Sequence, residues 1–350
     1  MKKTLIALAA LAATGATLAQ SSVTIYGRMD LGMSSVDTTV GAGAGATTTE
    51  ATSLAGTQNA RTSSRLGFRG TEDLGGGLRA GFTYEIGINA DRATTGNAET
   101  RLANLSLTGG FGTVVIGTFM NAFDAARAFS PATGVNAAVP GGDFTSQLHG
   151  DALVERFDSR TQNAIAYVSP AFSGFTFSAG TLNEEHANRE YDGYILGLNY
   201  SQGPLAAQFA FGQLDVARHG PLLGALNNVE VDNWALAVRY TFAPVVLSFI
   251  YEDAQRTAPG IALDREHNAW EIGARFPMGA FAPYVTFGQG EITEQGVNRF
   301  DTSAWQIGTT YNLSTRTWIY AAIGEDQIET AAGVNDTKRD GFAIGLVHTF

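Results

Sequence analysis

Along most of this chain, bulky apolar side chains alternate with small or charged ones. In VDNWALAVRYTF one parity holds Trp234, Leu236, Val238, Tyr240 and Phe242, and the other holds Ala235, Ala237, Arg239 and Thr241. A period of two is that of a β-strand, whose successive side chains point to opposite faces. The layout recurs in DGYILGLNY, HNAWEIGARF and SAWQIGTTY, and in GFAIGLVHTF, where Phe342, Ile344, Leu346, His348 and Phe350 occupy every second position. Aromatic residues sit at the segment ends. The pattern predicts sixteen strands, near 22–36, 61–72, 78–90, 101–109, 112–119, 160–169, 174–182, 192–201, 204–213, 231–242, 245–253, 267–276, 281–290, 301–312, 315–326 and 339–350. Short turns such as DLGGG, GGFG, SQGP and PMGA alternate with longer polar stretches, as at 37–60, 182–192, 214–230, 254–266, 290–300 and 327–338.

A soluble β-sandwich also alternates, but it seldom places Trp and Tyr at both ends of nearly every strand. A transmembrane β-barrel asks for an even strand number, an outward apolar band between aromatic girdles and unequal loops on its two sides. Beyond the first residues no apolar run is long enough for a spanning helix, and in lipid only a closed barrel then satisfies the backbone. A closed barrel must also pair its last strand with its first, SSVTIYGRMDLG, which explains a strand that alternates to Phe350.

The start of the chain changes the picture of location. Lys2 and Lys3, an apolar stretch from Leu5 to Ala13, and the small residues near Thr17-Leu18-Ala19 predict a secretory signal peptide over 1–19. No Pro/Ser-rich linker divides the remainder, so 20–350 is expected to form one domain. Without the leader, 20 basic residues face 33 acidic ones, a formal charge of −13. Nucleic acid, which needs a basic face, is not an expected partner. The 42 glycines, 21 phenylalanines and 11 tyrosines, with only 9 prolines, suit glycine-softened strands. There is no cysteine, hence no disulfide or thiolate metal site, and no Walker loop, dinucleotide fingerprint, HExxH pair or GxSxG elbow. No cofactor or metal is expected.

Three stretches carry a resemblance: the start QSSVTIYGRMD, the segment SRLGFRGTEDLGGGLRAGF, and the closing GLVHTF. They resemble the general porins of Gram-negative bacteria, most of all the β-proteobacterial branch, and the likeness runs from Gln20 to Phe350. The resemblance implies an all-β, sixteen-stranded antiparallel barrel in the outer membrane. It implies a homotrimer passing small hydrophilic solutes and ions, and a long third loop, here about 119–159, folded into the lumen. It also implies that the terminal Phe350 is read by the outer-membrane assembly machinery, and that outer-membrane lipids surround the barrel.

Porins of this type line their constriction with arginines, and the resemblance carries this role to Arg65, Arg101 and Arg160. Parity supports Arg65, opposite Leu66 and Phe68, and Arg160, opposite Ile165 and Tyr167. Arg101 shares the parity of Leu105 and Leu107, so either a bulge intervenes or the regular strand begins after it. By the same counting Arg28, Arg69, Arg79 and Glu85 face inward. Acids available on the loop are Asp124, Asp143, Asp151, Glu155 and Asp158. Fixed charge at a narrow, low-dielectric passage selects ions, so an anion preference is expected. The loop departs from the family in lacking a PEFGG-type acidic turn, Thr118 follows Gly117 where relatives often carry a basic residue, and Thr349 stands where Lys or Arg is common.

Two other functions compete. A substrate-specific channel would use the loop aromatics Phe119, Phe123, Phe129 and Phe144. A barrel enzyme would use polar rim residues such as His186 beside Glu184 and Glu185, and its barrel is expected to have fewer strands.

Overall fold

The computed structural model describes residues 22–41, 45–54, 64–88, 99–133, 157, 159–186, 189–218, 228–258, 263–331 and 336–350. The expected leader, 1–19, lies outside them. Seventeen strands run antiparallel through the described chain: β1 (Ser22–Val40), β2 (Thr47–Leu54), β3 (Arg65–Gly75), β4 (Leu78–Gly87), β5 (Thr100–Gly109), β6 (Gly112–Met120), β7 (Arg160–Val168), β8 (Phe175–His186) and β9 (Arg189–Gln202). They continue with β10 (Leu205–Arg218), β11 (Asn228–Phe242), β12 (Val245–Ala258), β13 (Leu263–Arg275), β14 (Phe281–Glu294), β15 (Val297–Asn312), β16 (Thr317–Thr330) and β17 (Thr337–Thr349). A short helix, α1 (Ala122–Arg127), follows β6.

From β3 onward each strand pairs with the next in the chain, and β17 returns to β1 in register from Arg28↔Thr349 to Val40↔Thr337. The sheet is therefore closed. The other edge of β1 is shared: its first part pairs with β3 and its last part with β2. Seventeen strands thus fill sixteen barrel positions, as the alternation predicted, with β2 as an added segment. That segment lies in the stretch 37–60 that reads as a polar connection.

The other long polar connections differ in the same direction. Over 290–300, for instance, β14 and β15 run on until only Gln295 and Gly296, both at positive φ, turn the hairpin. Past the apolar band no lipid face enforces the alternation, so no regular pattern marks a strand's continuation.

The two faces are inverted relative to a soluble protein. In the last strand Phe342, Ile344, Leu346 and Phe350 are exposed, whereas Ala343 and Val347 between them are buried. The same holds for Leu198, Phe209, Phe249, Ile272 and Ile307, all exposed, against the buried polar Gln208, Asn233, Glu252, Glu271 and Gln306 of the opposite parity. An apolar outside and a polar inside is the arrangement that lipid requires. Aromatic contacts border the band: Trp234–Tyr251 and Trp270–Phe287 at one rim, with centroids 4.9 and 5.7 Å apart, and Phe175–Tyr200 at the other, 4.6 Å apart. From Trp234 to Phe242 the strand counts nine residues, enough to cross the hydrocarbon layer when tilted, for which about 9–11 are needed.

Candidate functional site

The interior of the first strands gathers charge. Arg28 and Asp30 stand two residues apart on one face of β1 and pair at 3.1 Å. Across the sheet Arg28 lies directly opposite Arg65 on β3, a like-charge pairing that would be unfavourable alone. Two carboxylates offset it. Glu85 on β4 accepts from Arg101 Nε at 2.7 Å, lies 3.5 Å from Arg65 Nη1, and accepts from the Tyr26 hydroxyl at 3.1 Å. Asp30 accepts from the Tyr320 hydroxyl at 3.1 Å, and its backbone N–H donates to Ser64 Oγ at 2.9 Å. Among the described residues, three arginines and two acids make up this cluster. Such hydrogen-bonded carboxylates hold the guanidinium groups in fixed directions.

Two glycines make this geometry accessible. Tyr26 pairs with Gly67 and Tyr320 with Gly345, and a Cβ on either glycine would fall 2.3 Å from the tyrosine ring. Each ring therefore lies flat across the neighbouring strand and delivers its hydroxyl to an acid beyond it. Gly67 thereby sets the reach of Tyr26 to Glu85.

Arg101 resolves as a bulge. Glu85 pairs with Leu102 and Ile86 with Thr100, so Arg101 is the extra residue of β5. The side chain is 3% exposed and turned to Glu85, while Leu105 on the regular part of the strand is 67% exposed to the outside. Arg160 pairs with Glu99 Oε1 at 2.8 Å. Parity from Ile165 does not carry to Arg160, because the β6–β7 register shifts between Gly117 and Phe119 and Asn163 takes a positive φ of 44°. Arg69 is exposed on β3, its guanidinium 5.2 Å from the Tyr26 ring centre, and Arg79 is exposed opposite Asp73. Asp124 is half-buried in the first turn of α1, where the helix dipole favours an acid. Asp143, Asp151, Glu155, Asp158 and Phe144 lie outside the described residues.

A second set of contacts joins α1 to the interior-facing side chains of β9–β13. The Asn121 side chain caps the helix, accepting from the Phe123 and Asp124 amides, and its Nδ2 donates to Thr161 Oγ1 at 3.0 Å. Phe123 stacks on Phe157 at 5.1 Å. Both rings fit where Gly212 has no side chain, since a Cβ there would lie 2.7 Å from Phe157 and 3.1 Å from Phe123. Ala210, Ala235 and Ala237 complete that apolar bed. Arg127 forms a buried two-pronged pair with Glu252 on β12, its Nε donating to Oε2 at 3.0 Å. Arg275 donates to the Pro131 carbonyl at 3.1 Å, Pro131 fits against Gly273, and Arg239 lies 4.8 Å over the Phe129 ring.

Counting along the strands does not single out these partners. Asp30 and Tyr26 share the parity of Arg28 and were readable as inward residues, and so was Tyr320. Arg127 and Glu252 stand 125 residues apart, and no local pattern links them.

A closed sixteen-position barrel, apolar outside and charged within, is an outer-membrane channel protein in its architecture. The chain belongs to the Gram-negative porin family, whose model matches residues 4–331. It is 34% identical over 342 residues to "Outer membrane porin protein 32" of Delftia acidovorans, covering 91% of this chain and 88% of that one. Among solved structures it is similar to "Anion-selective porin from Comamonas acidovorans", with a TM-score of 0.73, 23% identity, and coverage of 95% of this chain and 100% of that one. It is also similar to the trimer form of OmpT, an outer membrane protein of Vibrio cholerae, with a TM-score of 0.67, 16% identity, and coverage of 94% and 99%. The chain is an outer-membrane porin, and its relatives are channels rather than enzymes.

Proposed function

We propose that this porin is a passive, trimeric diffusion channel for small hydrophilic solutes and ions, with an anion preference set by its interior arginines. The observation that carries the reading is the gathering of Arg28, Arg65 and Arg101 on the interior of β1, β3 and β5, held in place by Asp30 and Glu85. These guanidinium groups are held by a hydrogen-bond framework in a confined aqueous space, where a fixed charge acts more strongly than in bulk water. Arg160 and Arg69 extend the positive wall. The loop from about 119 to 159 narrows the passage, and its seating of residues 121–133 on β9–β13 supports that role. Asp124 supplies a negative charge from the loop side, and wall and loop together orient polar solutes and penalise apolar ones. The name of the Comamonas protein supports the anion preference, and the OmpT trimer supports the assembly.

The test is the zero-current potential of R65Q/R160Q in planar bilayers under a salt gradient. The double variant is expected to move clearly towards cations. An unchanged potential would remove these two arginines from the selectivity mechanism.

A further inference from the structure

A cavity of about 380 Å³ lies between the start of α1 and the inner wall of β6–β10. It differs in kind from the charged cluster of β1, β3, β4 and β5. None of its nineteen lining residues is charged, and most of the exposed lining is carbon. The space arises from small side chains on both walls: Ala164 and Ala166 on β7 and Ser178 and Gly180 on β8 face Ala122 and Ala125 of the helix. Elsewhere the same segment is packed without such a gap, Phe123 against Gly212 and Pro131 against Gly273. A few polar groups border the apolar lining, among them Thr161, Asn199 and Gln208.

We infer that this niche is a binding site for a small, uncharged, partly apolar molecule, of the class of a one- or two-ring aromatic amide or alcohol. The volume exceeds twofold the roughly 150 Å³ apolar cavity that accepts benzene, and it falls within the ~300–1,000 Å³ of ligand pockets. An apolar lining with few polar groups fits a ring with one hydrogen-bonding substituent. A carboxylate in the same place would be desolvated, and none of the described lining residues is a cation that could pair it. The niche thus gives the lumen a second kind of selectivity: the arginine wall acts on ions, and the niche delays neutral aromatic solutes that pass the loop. It rests on the channel reading, because the ligand reaches it from the lumen.

The experiment uses the purified full-length channel in planar bilayers, with benzamide as the probe and benzoate as its charged counterpart. Benzamide is expected to reduce the single-channel current saturably. Two niche-filling variants, A166L and S178L, are expected to raise the half-saturating concentration at least tenfold, each first shown to open in the absence of probe. Benzoate is expected to act independently of both variants. A benzamide effect that stays linear in concentration, or that both variants leave unchanged, would overturn the site, as would a benzamide block abolished by R65Q. Channel openings without probe report on the channel reading separately, so failure of the niche and failure of the channel are distinguishable.

Discussion

Glu85 occupies the centre of the charged cluster, touching Arg65, Arg101 and Tyr26. Replacing it with Gln keeps the shape but removes a negative charge that two of these arginines share. E85Q is therefore expected to shift the zero-current potential further towards anions, opposite in sign to R65Q/R160Q, and a shift towards cations would contradict the bookkeeping of charge proposed for the cluster. The Arg127–Glu252 pair is buried from both sides, 2% and 1% exposed. Breaking such a buried pair by removing one partner costs roughly 3–5 kcal/mol. R127M alone is expected to lower the thermal unfolding temperature of the refolded protein and to increase current noise. The double replacement R127M/E252M removes both charges and is expected to recover most of the loss. Equal losses in single and double variants would show that the pair does not act as a unit.

At the scale of elements, strands were legible where lipid enforces a period of two. The rows Phe342–Phe350 and Trp234–Phe242 show this most clearly. Strand ends beyond the apolar band were not, since at β14–β15 no lipid face enforces the alternation and the pattern that marks a strand disappears. Arg101 marks the limit within the site: alternation alone placed it with Leu105, and only the local bulge turns it inward. Its conflict with parity was nevertheless the sign that a bulge stood there. The seat of α1 was illegible for a different reason, because it joins residues from β9 to β13 that are distant in the chain. That seat gives its own prediction. A Cβ at Gly212 meets two rings of the Phe123–Phe157 stack, and overpacking of this kind costs ~1–3 kcal/mol. G212V is expected to displace α1 and change single-channel conductance while the barrel still inserts. Conductance identical to wild type would contradict a loop seated in this way.

For the whole molecule, the formal charge of −13 expected without the leader is compatible with the proposed anion preference, because a permeating ion responds to the charges nearest its path. Among the described residues, Asp232, Asp253, Glu291 and Asp301 share the outward parity of their strands near the Trp234 rim. On the proposed reading, a permeating ion passes the interior arginines at close range. Salt screens charge over about 8 Å at 0.15 M and about 3 Å at 1 M, so the preference is expected to weaken as salt is raised. The barrel itself is held by a continuous antiparallel ladder that includes β1–β17, with Phe350 N–H donating to the Gly27 carbonyl at 3.1 Å and Gly27 N–H returning to Phe350 at 3.0 Å. The measurement that tests the account most directly is the zero-current potential of the unmodified protein, recorded together with its single-channel steps across a tenfold KCl gradient. The account predicts openings in groups of three and a potential of the sign that favours chloride. A potential favouring potassium, or stable insertion with no conductance, would contradict it.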